Sequence, residues 1–241
     1  MQNDKPEDNY LKTSTISLFD KHIDSATLYG LQYHFHAPSE HSVNGQLLDL
    51  EMHIVHALEP KHVNPEDPKD KSQFTNGVLG FLFKAVPDDF EFEMNGLTDF
   101  HDRFLNTMLD AEKKGKGGEK IDLTKFVKLL KFNRRWTYQG SLTTAPFSEG
   151  ILWNVLEQVI PVRQSTLEKF LDYRKVEQEK VFNEFEDDAE KEAIYAKNAI
   201  QPDNVKPFED KKGDTFFRVA ACNRVVQDQG DRAVYHIDIE E

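Results

Sequence analysis

The feature that most constrains this chain is a pair of short segments in which polar residues alternate with apolar ones. Residues 29–36 read YGLQYHFH and residues 48–58 read LDLEMHIVHAL. Successive side chains of a β-strand point to opposite faces, so this period predicts two strands, each with histidines aligned on a face. The stretch between them, residues 37–45, ends in Asn-Gly, which is a strong signal for a tight hairpin turn.

Other segments predict more strands and two helices around this pair. Further strands are predicted at residues 13–20, 78–86 and 136–147, the last running into a turn, and two more within 215–239; residues 151–160 form another apolar segment. The second of these, VLGFLFKAV, is almost entirely apolar, as expected for a strand buried on both faces. Helical spacing marks residues 97–112, and a long polar helix is predicted from Ser165 to about Lys197, with Ser165 and Glu168 forming a capping box. Residues 59–76 are predicted to form a loop.

Composition excludes several classes of protein. With 241 residues, 38% of them hydrophobic, the chain can bury a real core, so wholesale disorder is not expected. A formal net charge of −13 repels phosphate backbones, which argues against non-specific nucleic-acid binding. No apolar run is long enough for a transmembrane helix, and the polar start of this chain is no signal peptide. The single cysteine, Cys222, allows no intrachain disulfide, which favours a cytoplasmic or organellar location slightly over a secreted one.

Histidine is the residue type that suggests chemistry. His34 and His36 leave the same face of one strand about 7 Å apart, and His53 on the neighbouring strand supplies a third imidazole. Three histidines with an open fourth position are typical of catalytic zinc, although a hydrogen-bonded polar cluster inside a sheet is the alternative. Gln32 and Glu51 each precede a candidate ligand by two residues on the same face, where an acceptor for the ligand's second N–H would stand.

These residues lie in a longer motif with a family likeness. Residues 32–56 (QYHFHAPSEHSVNGQLLDLEMHIVH) resemble the zinc-site core of the α-class carbonic anhydrases, and the HFHAPSEH wording is most similar to the bacterial-type branch. Residues 136–153 (WTYQGSLTTAPFSEGILW) resemble the family's second signature, and residues 78–84 and 164–170 are similar to its pocket strand and late helix. The resemblance implies a mixed, β-dominated fold: a large, twisted, mostly antiparallel sheet with peripheral helices. It also implies one domain over residues 1–241, with a divergent acidic helical insertion and tail at about 171–241.

The resemblance also implies roles for single residues. His34, His36 and His53 would bind Zn²⁺, and Gln32 and Glu51 would be their hydrogen-bond partners. Thr143 would accept a hydrogen bond from the zinc-bound hydroxide and donate its own proton to Glu40, which orients the oxygen towards CO2. The residues implied for the substrate pocket are Val55, Val78, Leu142, Thr144 and Trp153. Tyr138 and Ser141 would support the threonine loop, which is the turn that contains Thr143 and Thr144. His41 and His56 would be structural or lie outside the ligand set.

The function implied is zinc-dependent, reversible hydration of CO2 to bicarbonate and a proton by a zinc-bound hydroxide, the reaction of a carbonate dehydratase, a lyase. Anions and sulfonamides would inhibit it, and activated esters would be side substrates. The alternative is a carbonic-anhydrase-like binding or assembly subunit with little or no activity. Such members generally lose a zinc histidine, and all three are present here. A zinc hydrolase of larger substrates is disfavoured because no acidic general base stands beside the metal ligands.

Three departures from the family pattern affect these expectations. The amino end is short, as for a processed or partial form or for a divergent member. Lys12 or Thr13 aligns where the fastest members carry a proton-shuttling histidine; neither titrates near neutral pH, so proton export should be slow without buffer. The acidic helix and the tail are either a surface insertion or a docking surface for a partner protein or a second subunit.

Overall fold

The computed structural model describes residues 10–13, 26–58, 74, 76–113, 123–143, 147–183 and 233–238. Several predictions therefore fall outside the described residues: Thr144, the helix beyond residue 183, the first tail strand, most of the loop at 59–76, and all but the first residue of the strand at 13–20. The docking role of the acidic insertion and tail stays a prediction for the same reason. None of the helices in this part of the chain is both long and apolar enough to span a membrane.

Strands dominate the described part of the chain. They are β1 (Tyr10–Thr13), β2 (Ala26–His36), β3 (Ser42–Val43), β4 (Gln46–Leu47), β5 (Leu50–Leu58), β6 (Asn76–Val86), β7 (Arg134–Ser141), β8 (Glu149–Leu156), β9 (Ile160–Arg163) and β10 (Val234–Asp238). The helices are α1 (Phe100–Lys113), α2 (Leu123–Lys128) and α3 (Gln164–Asn183), with a short 3-10 turn at Glu93–Asn95.

Eight of these strands form one large sheet. Its order is β1-β2-β5-β6-β8-β7-β10, and β9 pairs separately with β6. Strand β6 runs parallel to β8 and β9, whereas the other pairs in the sheet are antiparallel. The predicted fold class, a large and mostly antiparallel sheet with peripheral helices, is confirmed.

The Asn-Gly signal marks the turn that it predicts. Asn44 and Gly45 join the two-residue strands β3 and β4 and have φ angles of 52° and 75°. Two consecutive positive φ angles characterise the type I′ turn, whose twist matches that of paired strands, and asparagine and glycine adopt them at little cost. This small hairpin returns the chain from β2 to β5.

One face of the sheet is covered by the helices. Alternation sends Tyr33 and Phe35 of β2, and Met52 and Ile54 of β5, towards that face, where they join the main core. The helices contribute buried residues to the same core, among them Phe104, Leu105, Met108, Phe126, Leu167 and Phe170. Strand β6 is buried from Gly77 to Phe83, which confirms a strand covered on both faces.

The start of α3 differs from the prediction. The helix begins at Gln164, so Ser165 lies inside its first turn, and the predicted capping box of Ser165 and Glu168 is wrong. The backbone N–H of Ser165 donates instead to Asp88 Oδ1 at 2.9 Å, from the loop that follows β6. An acceptor from a remote part of the chain thus satisfies a free N–H of the first turn, which local spacing cannot reveal.

Candidate metal centre

Strand pairing brings three histidines together on the face of the sheet opposite the helices. His34 lies directly across from His53 in the β2–β5 ladder, and His36 follows two residues later on the same face as His34. Ring centroids are 4.9 Å apart for His34 and His36, 5.2 Å for His34 and His53, and 4.6 Å for His36 and His53. A candidate ligand atom from each ring lies within 4.8 Å of those of the other two. His36 and His53 are buried, whereas His34 is half-buried.

Glu51 is the polar residue around which this face is organised. Its carboxylate is fully buried, and both oxygens accept two hydrogen bonds. The backbone N–H groups of Glu40 and His41 donate to Oε2, each at 2.8 Å. His41 Nδ1 and His53 Nε2 donate to Oε1, at 2.6 and 2.8 Å. Four donors offset the cost of burying a charge that would otherwise be prohibitive.

These contacts fix the charge of Glu51 and the tautomer of His53. Burial alone would raise the pKa of Glu51, but the imidazoles of His41 and His53 hold that pKa well below its ordinary value. Burial would lower the pKa of His41, yet the carboxylate of Glu51 raises it above its ordinary value. An ionised carboxylate only accepts, so His53 Nε2 must carry the hydrogen. The lone pair of His53 Nδ1 is therefore free to bind a metal ion.

His41 extends this polar chain to another strand. Its Nε2 lies 2.6 Å from the hydroxyl oxygen of Tyr138 on β7. The Tyr138 ring is nearly parallel to that of Trp153, with 7° between the ring planes. Trp153 in turn contacts the His53 ring edge-on at a centroid distance of 4.8 Å. A continuous set of contacts therefore joins the ligand strand β5 to strands β7 and β8.

A second group of potential ligands shares members with the first. His41, Glu51 and His53 also bring ligand atoms within 4.8 Å of one another. In this group, however, both oxygens of Glu51 and the facing nitrogens of the two histidines are already engaged in hydrogen bonds. A metal ion there would have to break them, so the group of His34, His36 and His53 is the better candidate.

Gly80 makes room for Glu51. It lies opposite His53 in the β5–β6 ladder. A Cβ atom at this position would come within 3.1 Å of Glu51 Oε1 and 3.3 Å of a methyl group of Val155. A side chain at residue 80 would therefore press on the carboxylate that orients His53.

Apolar residues surround the polar group on the same face. Val55, Val78 and Trp153 are buried in one cluster, and Leu142 packs against it. The structure thus brings together the four described residues that were predicted to line a substrate pocket. The same cluster contains Leu82, Ile151 and Val155, which the sequence reasoning missed. Counting in steps of two from Val78 and Trp153 would have identified all three.

The threonine loop is anchored at both ends. The indole N–H of Trp153 donates to the carbonyl of Ser141 at 3.1 Å, and Leu142 N–H donates to the carbonyl of Ser148 at 2.9 Å. Thr143 occupies a half-buried bend between these points. The buried Glu40 carboxylate lies 3.4 Å from His36 Nε2 and 3.9 Å from His53 Nδ1. A hydrogen bond between Thr143 and Glu40 stays a prediction.

The remaining predicted residues are placed as follows. Gln32 is exposed on β2 opposite Val55, and its pairing with His34 stays a prediction. The hydroxyl of Tyr138 contacts His41, and its support of the threonine loop stays a prediction. His56 lies buried on the helix-covered face, away from the cluster, and burial lowers its pKa to about 4. Lys12 lies in the edge strand β1, paired with Thr27.

The donor set fits zinc. Three imidazoles are characteristic of catalytic zinc sites, which keep a further coordination position open. A carboxylate that holds the second N–H of a ligand histidine is the usual support for such a site. Glu51 and His53 form this pair here.

Comparisons with known proteins show which family the chain resembles. A family model described as eukaryotic-type carbonic anhydrase matches residues 8–191. A carbonic anhydrase from Nostoc is 31% identical over 140 residues, which cover 58% of this chain and 45% of that protein. One from Klebsiella pneumoniae is 29% identical over 160 residues, 66% of this chain and 55% of that protein. This chain therefore spans about half the length of the curated relatives that it matches.

Solved structures support the fold. A halotolerant carbonic anhydrase from Dunaliella salina superposes with a TM-score of 0.53 at 23% identity, covering 90% of this chain and 64% of that one. A carbonic anhydrase from Chlamydomonas reinhardtii in complex with acetazolamide gives a TM-score of 0.51 at 23% identity, covering 89% and 67%. At this level of identity the similarity concerns the fold alone.

Proposed function

Because this chain belongs to the eukaryotic-type carbonic anhydrase family, we propose that it catalyses the reversible hydration of CO2 to bicarbonate and a proton. The observation that carries the proposal is the cluster of His34, His36 and His53 beside an apolar cluster on the same face of the sheet. An uncharged substrate needs an apolar pocket, and its attack by water near neutral pH needs a strong electrostatic activator. The apolar cluster and the three histidines that could hold such an activator lie next to each other here.

In this proposal the three histidines hold Zn²⁺, and the other residues position them. Zinc, when bound, lowers the pKa of water towards neutrality, a property for which carbonic anhydrase is itself the standard example. Glu51 fixes the tautomer of His53 and adds negative charge behind it, which strengthens His53 as a ligand. His41 and Tyr138 keep Glu51 in place.

The apolar cluster would hold CO2 and exclude bulk water. Val55, Val78 and Trp153 form a buried wall behind the histidines, and Leu142 closes it from the threonine loop. Thr143 would orient the attacking oxygen by donating its own proton to Glu40, whose carboxylate lies beside the ligand histidines. Bicarbonate is polar and charged, so this wall holds it less well than CO2.

The alternative is a binding or assembly role in which the zinc site is retained with little activity. The match to only about half the length of the curated relatives keeps it open, because residues that complete the site in those proteins need not have counterparts here.

Stopped-flow CO2 hydration by protein of known zinc content, with the buffer concentration varied, tests the proposal. We expect one zinc per chain, activity that rises with buffer concentration, and inhibition by a sulfonamide. Thr143→Ala should retain zinc and lose at least about tenfold in activity, as for loss of one positioned hydrogen bond in the transition state. The control is Thr107→Ala, at an exposed position of α1. Zinc-loaded protein without activity above background would overturn the proposal and favour the binding role.

A further inference from the structure

Arg135 differs from the other arginines whose side chains the structure describes. Three of the four pair with a carboxylate: Arg103 with Asp99 at 2.9 Å, Arg134 with Glu157 at 2.8 Å, and Arg163 with Asp102 at 2.7 Å. Arg135 is half-buried and has no carboxylate partner in the described part of the chain. This is unusual in a protein with 43 acidic residues and a net charge of −13.

The guanidinium of Arg135 contacts only neutral oxygens. Its Nε donates to Asn154 Oδ1 at 3.1 Å, and its Nη1 donates to the carbonyl of Phe132 at 2.6 Å. Burial lowers the pKa of Arg135, and no negative charge offsets this effect. Arginine nevertheless stays protonated, so a partly desolvated positive charge persists here. Such a charge strongly favours an anionic partner.

Asn154 adds free donors beside this charge. It is 7% exposed, and its Oδ1 accepts from Arg135 and, at 2.9 Å, from the hydroxyl of Thr137. Arginine can only donate, so the oxygen of the amide must face it and the NH2 group must point away. Among the described residues this NH2 group has no acceptor. It is not one of the buried side-chain atoms that lack a partner, so it is accessible to solvent and to a ligand.

These residues lie on the face of the sheet opposite the histidines. Trp136 and Tyr138 of β7 pack against the apolar cluster of the metal centre. Arg135 and Thr137 alternate with them and therefore face the other way. Asn154 lies directly across from Thr137 in the β7–β8 ladder, so its side chain shares that face.

We propose that Arg135 and Asn154 bind a small planar oxyanion, a carboxylate or bicarbonate, at a site separated from the metal centre by the sheet. Asn154 and Phe132 engage two of the five guanidinium N–H groups, and the remaining three are available to the two oxygens of such an anion, with the Asn154 amide as a further donor. The anion would satisfy both the unpaired charge and the free amide. Thr137 and Phe132 hold the two donors in place, so the site is built before the anion binds.

The test uses the full chain labelled with 15N-arginine. A chelator removes zinc so that no anion can bind at the histidines. Sodium formate and, separately, sodium bicarbonate are titrated at constant ionic strength while the arginine Nε–Hε resonances are recorded. We expect a saturable shift of the Arg135 resonance with either anion, and Arg134, on the opposite face and already paired, should not respond saturably.

Two variants separate the site from general effects of salt. Asn154→Leu should weaken formate binding at least about tenfold because it removes one donor to a charged ligand. Arg135→Lys retains the positive charge but lacks the planar set of guanidinium donors, so it should weaken formate binding by a similar factor. This variant serves as the test if Asn154→Leu does not fold. A response to formate without one to bicarbonate would support the site and identify a carboxylate as its ligand. A linear drift that is equal for Arg134 and Arg135, or unchanged binding in a folded variant, would overturn the proposal.

Discussion

The two faces of the sheet are made by the same strands but are stabilised differently. On the helix-covered face, Met52 and Ile54 of β5 enter a core of aromatic and aliphatic side chains. On the other face, Glu51 and His53 of the same strand form short hydrogen bonds with defined partners. Along β5, shape and apolar area stabilise the side chains on the first face, whereas donor–acceptor matching stabilises the polar side chains on the second.

This difference has consequences for how each face responds to substitution. An apolar core tolerates side chains of similar volume, because its stabilisation depends on filled space. A buried polar network does not, because the loss of one member leaves another without its partner. Substitutions in the polar network should therefore remove the bound metal without unfolding the protein. Substitutions in the apolar core should lower the free energy of unfolding without loss of the metal.

The strongest way to separate the two faces is His53→Ala. This substitution removes a ligand and should reduce bound zinc from one per chain to almost none, measured by elemental analysis after dialysis. The far-ultraviolet circular dichroism should remain that of the folded protein because the helix-covered core is untouched.

The matched control is His101→Ala. His101 is also a buried histidine, but it lies on α1 and its Nε2 donates to the carbonyl of Phe126. The His101→Ala variant should be less stable than the original protein and should keep its zinc. Stoichiometric zinc in His53→Ala would contradict the ligand assignment.

Phe81→Ala tests the opposite face. Phe81 is fully buried and packs edge-on against Phe126 at a centroid distance of 5.3 Å. Its removal leaves a large cavity and should lower the free energy of unfolding by about 3–5 kcal/mol in urea denaturation. Zinc content at low temperature should remain one per chain. A loss of zinc from folded protein would show that the two faces are coupled.

His56 gives the helix-covered face a dependence on pH. Its pKa is lowered from 6.5 to about 4, mainly by burial, so between these values the unfolded chain binds a proton that the folded chain does not. Stability should therefore fall as the pH falls through this window, by about 2 kcal/mol between pH 7 and pH 5.

Urea unfolding of zinc-free protein at the two pH values measures this effect. His56→Gln should reduce the dependence on pH by about that amount, since glutamine does not titrate. An equal loss of stability in both proteins would assign the dependence to other groups.

The sequence predicted more of the histidine face than of the contacts behind it. His34, His36 and His53 could be placed together because alternation and one hairpin turn determine which face each occupies. The contact of Tyr138 with His41 joins residues 97 positions apart, and the cap that Asp88 gives α3 spans 77. The parallel pairing of β9 with β6 also depends on the folded topology. Such contacts follow from packing, and a local pattern does not contain them.

Tyr138→Phe is the smallest change to the polar network, and it tests whether the loss of one outer contact lowers stability and zinc affinity only in part. It removes the hydroxyl that contacts His41 and keeps the ring that stacks on Trp153. We expect a loss of about 1 kcal/mol in the free energy of unfolding, as for one hydrogen bond, and a zinc affinity lowered by no more than about tenfold. Competition with a chelator measures the affinity. Glu51 retains all four of its donors, so a complete loss of zinc would mean that the hydroxyl of Tyr138, and not the carboxylate, holds the ligand strand in place.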